Sequence, residues 1–144
     1  MNFTPKNPDF KNTILNKLNK QYFMHHIGFQ MTKIEAGEVW GNLEIKEEHL
    51  QQNGFLHGGV TATVADLVMG FAAFSLAEKH QGTVTSDLKI SYLRPGIGNK
   101  IIAKGYVIKA GNLLYFCEAD IICIHENQEI LIARGYSTMC AINT

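Results

Sequence analysis

Twenty consecutive residues, Gly58 to Ala77, carry a single formal charge, Asp66. Nothing else in the chain constrains the fold as strongly. Val60, Val64, Leu67, Phe71 and Phe74 form a bulky stripe at helical spacing, and Ala62, Ala65, Met69, Ala72 and Leu76 extend it around the cylinder. A helix apolar on nearly all sides must be covered on nearly all sides. The run is long enough to span a bilayer, yet Thr61, Thr63, Asp66, Gly70 and Ser75 interrupt it and no positive cluster flanks it. The expectation is a central helix from His57 to Lys79, not a membrane segment.

What covers that helix is legible downstream. Thr83 to Leu93, Ile101 to Lys109, Leu113 to His125 and Ile130 to Ala141 read as strands. They are separated by a break at Arg94–Asn99 and by turns at Ala110-Gly111-Asn112 and Glu126-Asn127-Gln128. In the third of these, Leu113, Tyr115, Cys117, Ala119, Ile121 and Cys123 share one parity opposite Glu118 and Asp120, the pattern of a half-buried antiparallel strand. Upstream, Phe29–Ile34 and Val39–Ile45 form a hairpin through Glu35-Ala36-Gly37-Glu38. Before them, Ile14, Leu15, Leu18, Tyr22 and Phe23 predict one helix over Asn12–His26, stopped by Gly28. The whole is an α+β layout of about six antiparallel strands curled around one long helix. We expect a single domain over residues 1–144, with residues 1–27 as a helical extension.

A chain of 144 residues and 16.1 kDa can build such a core without staples. Lys+Arg and Asp+Glu are both 13, so the balanced charge lacks the basic footprint of a nucleic-acid binder. Cys117, Cys123 and Cys140 have no CxxC spacing and fall in strands; they read as reduced core thiols. With no apolar leader in Met1–Pro8, a cytoplasmic protein is expected. The six histidines are too scattered for a metal motif, and no phosphate-binding glycine loop appears. No metal and no cofactor are expected.

Asp66 is the chemical signal. A carboxylate inside an apolar helix costs several kcal/mol unless it is paired, hydrated or protonated. Its neighbours along the same strip, Gly59, Thr63, Gly70 and Ala73, are small and leave room beside it. A mid-helix position argues against an N-cap role.

Gln51, Gly54, His57-Gly58-Gly59, Asp66 and the segment Asp87 to Pro95 together resemble the hotdog-fold acyl-CoA thioesterases. The likeness is to the branch holding the bacterial phenylacetate-pathway enzyme and human thioesterase superfamily member 2. It covers residues 27 to 142. It implies hydrolysis of an aryl- or medium- to long-chain acyl-CoA. It also implies a homodimer, assembled further into a homotetramer as a dimer of dimers, with each site shared between two subunits.

The resemblance makes Asp66 the general base or the nucleophile, and both remain open. Gly58, opening the helix, has a free N–H that would serve as an oxyanion donor, although a tight loop-to-helix turn also explains a glycine there. Gln51 would polarise the thioester carbonyl or orient water, with Asn53 as its neighbour and competitor. Thr85 would position the attacking water, or Ser86 if the alignment slips by one. His57 reads as a structural residue that holds the turn through a backbone hydrogen bond; with Gly59 it is placed at the substrate-binding surface, and Arg94 is a cation for the coenzyme A phosphates, although a lone loop Arg is usually an ordinary surface charge. Two other readings stay open: a hydratase of enoyl thioesters, which needs a histidine that the long helix lacks, and a non-catalytic acyl-CoA-binding module.

Overall fold

The structure, a computed structural model, describes residues 2–144. Two short helices, α1 (Phe10–Leu18) and α2 (Tyr22–Ile27), lead into the hairpin β1 (Phe29–Glu35) and β2 (Glu38–Glu44). A single 3-10 turn, Glu47–His49, precedes the long helix α3 (Gly58–Phe74). Four strands follow: β3 (Gln81–Tyr92), β4 (Lys100–Ala110), β5 (Leu114–His125) and β6 (Gln128–Asn143). They form one antiparallel sheet in the order β1-β2-β4-β5-β6-β3, curled around α3 in the hotdog arrangement. Because α3 carries the chain from β2 across the sheet, β3 lies at the edge opposite β1.

The core is the concave face of the sheet and the underside of α3. Val64, Ala65, Val68, Met69 and Ala72 are fully buried, against Val39, Leu43, Ile101, Ala103, Ala119 and Ile121. Each large side chain buried there contributes about 1.5–3 kcal/mol, an upper figure because unfolded chains are already partly compact. Helix and sheet touch closely at Gly105 of β4. A Cβ at that position would stand 2.5 Å from the carbonyl carbon of Val68, so only glycine lets the two backbones meet. On β5, Tyr115, Cys117, Ala119, Ile121 and Cys123 are buried and Glu118 and Asp120 face outward, as the alternation predicts, whereas Leu113 lies just before the strand and is exposed. The β5–β6 hairpin turns through Glu126 and Asn127, both at positive φ, the backbone of a tight two-residue turn whose twist suits antiparallel strands.

Two boundaries differ from the sequence expectation, each for a local reason. The single helix over Asn12–His26 is two, because Lys20 N–H and Gln21 N–H bond back three residues to Lys17 and Leu18 and close the first helix. The break re-aims the chain so that Phe10 and Ile14 of α1 and Met24 of α2 all reach the core, leaving Leu15, Tyr22 and Phe23 exposed. The long helix ends at Phe74, not Lys79. Ser75 Oγ donates to Ala72 O at 2.6 Å and accepts from Gly37 N–H at 2.7 Å, tying the helix end to the β1–β2 turn.

No helix among the described residues is long and apolar enough to cross a membrane. No cluster of three metal-ligating side chains occurs among them either.

Candidate active site

Asp66 sits half-buried in the middle of α3, where small neighbours open the helix surface. Thr85 of β3 reaches it: Thr85 Oγ1 donates to Asp66 Oδ1 at 2.7 Å. This is the one donor to the carboxylate among the described residues, and the second oxygen is left without a protein partner. Ser86 does not compete. The β3–β6 register slips between Thr85 and Asp87, so Ser86 occupies the bulge and is exposed. Beside the Asp66–Thr85 pair lies a cleft of about 360 Å³ that continues past Gly70 to Phe71 and Phe74.

The start of α3 is built from the HGG turn. His57 is the N-cap, and its Nδ1 accepts from Gly59 N–H at 2.8 Å. His57 O accepts from Val60 and Thr61. Gly58 N–H, at the first helical position, has no acceptor among these bonds and lies at the positive end of the helix dipole. Tyr92, at the end of β3, closes over this residue: its hydroxyl donates to Gly58 O at 2.7 Å. A Cβ on residue 58 would stand 3.2–3.3 Å from the Tyr92 ring and hydroxyl, so glycine keeps the turn and the tyrosine in register.

Gln51 belongs to the same region. Its Oε1 accepts from Asn53 N–H at 2.5 Å, which identifies that atom as the carbonyl and leaves the amide NH₂ available to donate. Asn53 contributes backbone here; its side chain is exposed and makes no hydrogen bond among the described residues. Gln51, Gly58, Tyr92 and Arg94 line a second cleft, of about 390 Å³. Arg94 stands exposed at its rim, with Nη1 donating to Leu131 O at 3.0 Å.

Two residues shape this region without having been singled out by the sequence reading. His49, one of the scattered histidines, is buried; Nδ1 accepts from Lys46 N–H at 3.0 Å and Nε2 donates to Ile27 O at 2.9 Å. Its own carbonyl accepts from His57 N–H at 2.8 Å, so it anchors the loop that carries Gln51. Nothing in the local sequence distinguishes it from a surface histidine. Tyr92 had a weak signal, an aromatic residue ending a strand inside the Asp87–Pro95 motif.

The two clefts share no lining residue. Gly58 and Asp66 are eight residues apart on one helix, about 12 Å along its axis and about 80° around it. One chain therefore carries a carboxylate–hydroxyl pair and, separately, a set of backbone and amide donors. The first can hold and deprotonate a water; the second can bind a polarised carbonyl.

A sheet curled around one helix, an HGG helix start and an acid eight residues beyond it define a thioesterase class, and the comparisons agree. Residues 53–129 match the thioesterase superfamily. The chain is 33% identical to human acyl-coenzyme A thioesterase 13 over 103 residues, 71% of each chain. Its fold matches the crystal structure of a thioesterase family protein from Silicibacter pomeroyi with a TM-score of 0.92 and 27% identity, covering 94% of this chain and 99% of that one. It also matches the Escherichia coli PaaI protein of the phenylacetic acid degradation operon with a TM-score of 0.84, at 17% identity and covering 96% of each chain, a likeness of fold. The chain belongs to the thioesterase superfamily. It is a hotdog-fold thioester hydrolase.

Proposed function

We propose that this chain hydrolyses acyl-CoA thioesters, with each active site assembled from two subunits. The observation that carries the proposal is the separation of Gly58 from Asp66. An attacking water must lie within hydrogen-bond reach of its base and about 3 Å from a carbonyl carbon whose oxygen rests on the oxyanion donors. About 12 Å of helix is too far for one chain to supply both. Gln51 and Gly58 of one subunit therefore serve Asp66 and Thr85 of the other.

The edge strand β3 provides the route. Its outer edge is unpaired among the described residues, and Val84, Leu88 and Tyr92 are 45%, 39% and 55% exposed. An unprotected edge of this kind is a template for strand pairing. Antiparallel pairing with a second β3 about an axis near Leu88–Lys89 would bring Thr85 of one subunit opposite Tyr92 of the other. That joins the two half-sites in both copies at once, as an isologous interface requires.

In the reaction, Gly58 N–H and the Gln51 amide donate to the thioester oxygen. Water adds to the carbonyl carbon as Asp66 takes its proton, giving a tetrahedral oxyanion. Collapse of that intermediate breaks the C–S bond, and the proton held by Asp66 passes to the departing thiolate, releasing free acid and CoA thiol. We assign Asp66 as general base because Thr85 already donates to one of its oxygens. That bond fixes the carboxylate and leaves its other oxygen free to take a proton from water. Arg94, at the rim of the donor cleft, is the cation offered to the CoA phosphates. Single turnover in ¹⁸O-water tests the assignment. Label found only in the released acid, with no acyl-enzyme trapped by hydroxylamine, supports the base; label in Asp66 or a trapped acyl-enzyme requires an anhydride and defeats it.

A further inference from the structure

Helix α3 contains three glycines, and two are held as glycine by their neighbours. A Cβ at Gly58 would press on Tyr92, and one at Gly59 would stand 2.9 Å from His57 Nδ1. Gly70 is different. Its backbone is helical, and a Cβ there would meet only Met139 Cε, at 3.9 Å, an ordinary contact. Among the described residues of one chain, neither the backbone nor the packing requires glycine at this position. A glycine in a helix interior costs about 1 kcal/mol relative to alanine. The chain keeps it one turn beyond Asp66, about 6 Å along the axis.

What the missing side chain leaves is space. Gly70 lines the cleft that begins at the Asp66–Thr85 pair. Beyond it the walls combine the carbon of Leu67, Phe71, Val84 and Ile142 with the polar side chains of Gln21, Thr83 and Thr144. The far end is Phe74, with Lys17 of α1 holding its Nζ 5.2 Å from the ring centroid. From Asp66 to Phe74 the helix runs about 12 Å, the length of a medium-chain acyl group.

We propose that Gly70 determines which acyl group this enzyme accepts. The acyl chain lies along α3 over Gly70, with its carbonyl at Asp66 and its tail at Phe74 and Lys17. The substrate class is a medium-chain acyl thioester. This inference rests on the thioesterase reading above, and the two fail in different ways.

The test compares wild type with Gly70→Ala and Gly70→Leu on acetyl-CoA, octanoyl-CoA and phenylacetyl-CoA, with melting temperature and light-scattering mass recorded for each. Gly70→Ala is expected to melt higher, since a better helix former replaces glycine, so at least one variant folds. In Gly70→Leu, kcat/KM for octanoyl-CoA should fall by about tenfold or more while acetyl-CoA turnover stays within about twofold; Gly70→Ala should lie between. Equal losses across the three substrates, no change for any of them, or a smaller particle with uniform loss would overturn the proposal. Calorimetry with the non-hydrolysable octanoyl-CoA thioether separates the two readings. If wild type binds the thioether and Gly70→Leu does not, while no thioester is cleaved, the acyl site stands and the hydrolytic reading falls.

Discussion

Thr85 Oγ1 donates to Asp66 Oδ1 at 2.7 Å, across the gap between an edge strand and the central helix. That bond uses the threonine's one proton, so anything else bound at this hydroxyl must donate to it. A water that donates to Thr85 and to the free oxygen of Asp66 would have a lone pair to direct at an electrophile.

Asp66→Asn keeps the shape of the side chain and removes the proposed base. Turnover of the best acyl-CoA should fall by about a hundredfold or more, with the melting temperature held or raised. Steady-state kinetics on a folded variant checks this, and near-wild-type turnover would reject the role.

Thr85→Ala should lower kcat by about tenfold to a hundredfold with a small change in KM, since the hydroxyl would orient water and not bind substrate. Ser86→Ala, at the bulge, should leave kcat unchanged. The reverse pattern would mean that the bulge shifts and Ser86 reaches the carboxylate.

Gln51→Ala should cost about tenfold to a hundredfold in kcat/KM, less than loss of the proposed base, because Gly58 N–H would remain in the proposed oxyanion site. Asn53→Ala retains the backbone N–H that holds Gln51 and should be near neutral. A damaging Asn53→Ala would move the amide donor to residue 53.

Burial pushes the Cys117 thiol up to about 12 and raises Cys123 as well, and Tyr106 rises chiefly through burial. These groups stay protonated in the fold when the unfolded chain has begun to ionise. Stability is therefore undiminished below about pH 9 and declines as pH rises from there toward 12, the sign expected of raised pKa values. Chemical denaturation from pH 8 to 11 should record the decline, and Cys117→Ala should flatten it. In the native protein at pH 8, Cys117 should also resist iodoacetamide.

The sequence carried some levels of this structure better than others. The α3 stripe and the β5 alternation were legible because each is a period set by one packing partner, the sheet for the helix and the helix for the sheet. The start of α3 was legible to within one residue, since His57, where the helix was expected to begin, is its N-cap. The end of α3 was not: it depends on Ser75 meeting Gly37, 38 residues away. The break at Asn19–Gln21 follows from the directions in which Ile14 and Met24 must point, information that resides in the sheet they cover. Thr85 and Ser86 could not be separated by reading, because a bulge shifts register without leaving a mark in composition. His49 shows the limit most clearly, a histidine whose meaning lies entirely in the carbonyl of Ile27 and the amide of Lys46.

The central claim is that Gly58 and Asp66 of one chain serve different sites, and mixing mutants tests it most directly. Asp66→Asn and Gln51→Ala chains, each impaired alone, are combined in equal amounts and allowed to exchange subunits, with exchange verified by native mass spectrometry. A random mixture makes half of its dimers mixed, and each mixed dimer holds one intact site and one doubly damaged site. Activity should therefore recover to about a quarter of the wild-type value, well above either parent. If exchange is complete and activity stays at the average of the two parents, each chain contains its own site, and the shared-site account is contradicted.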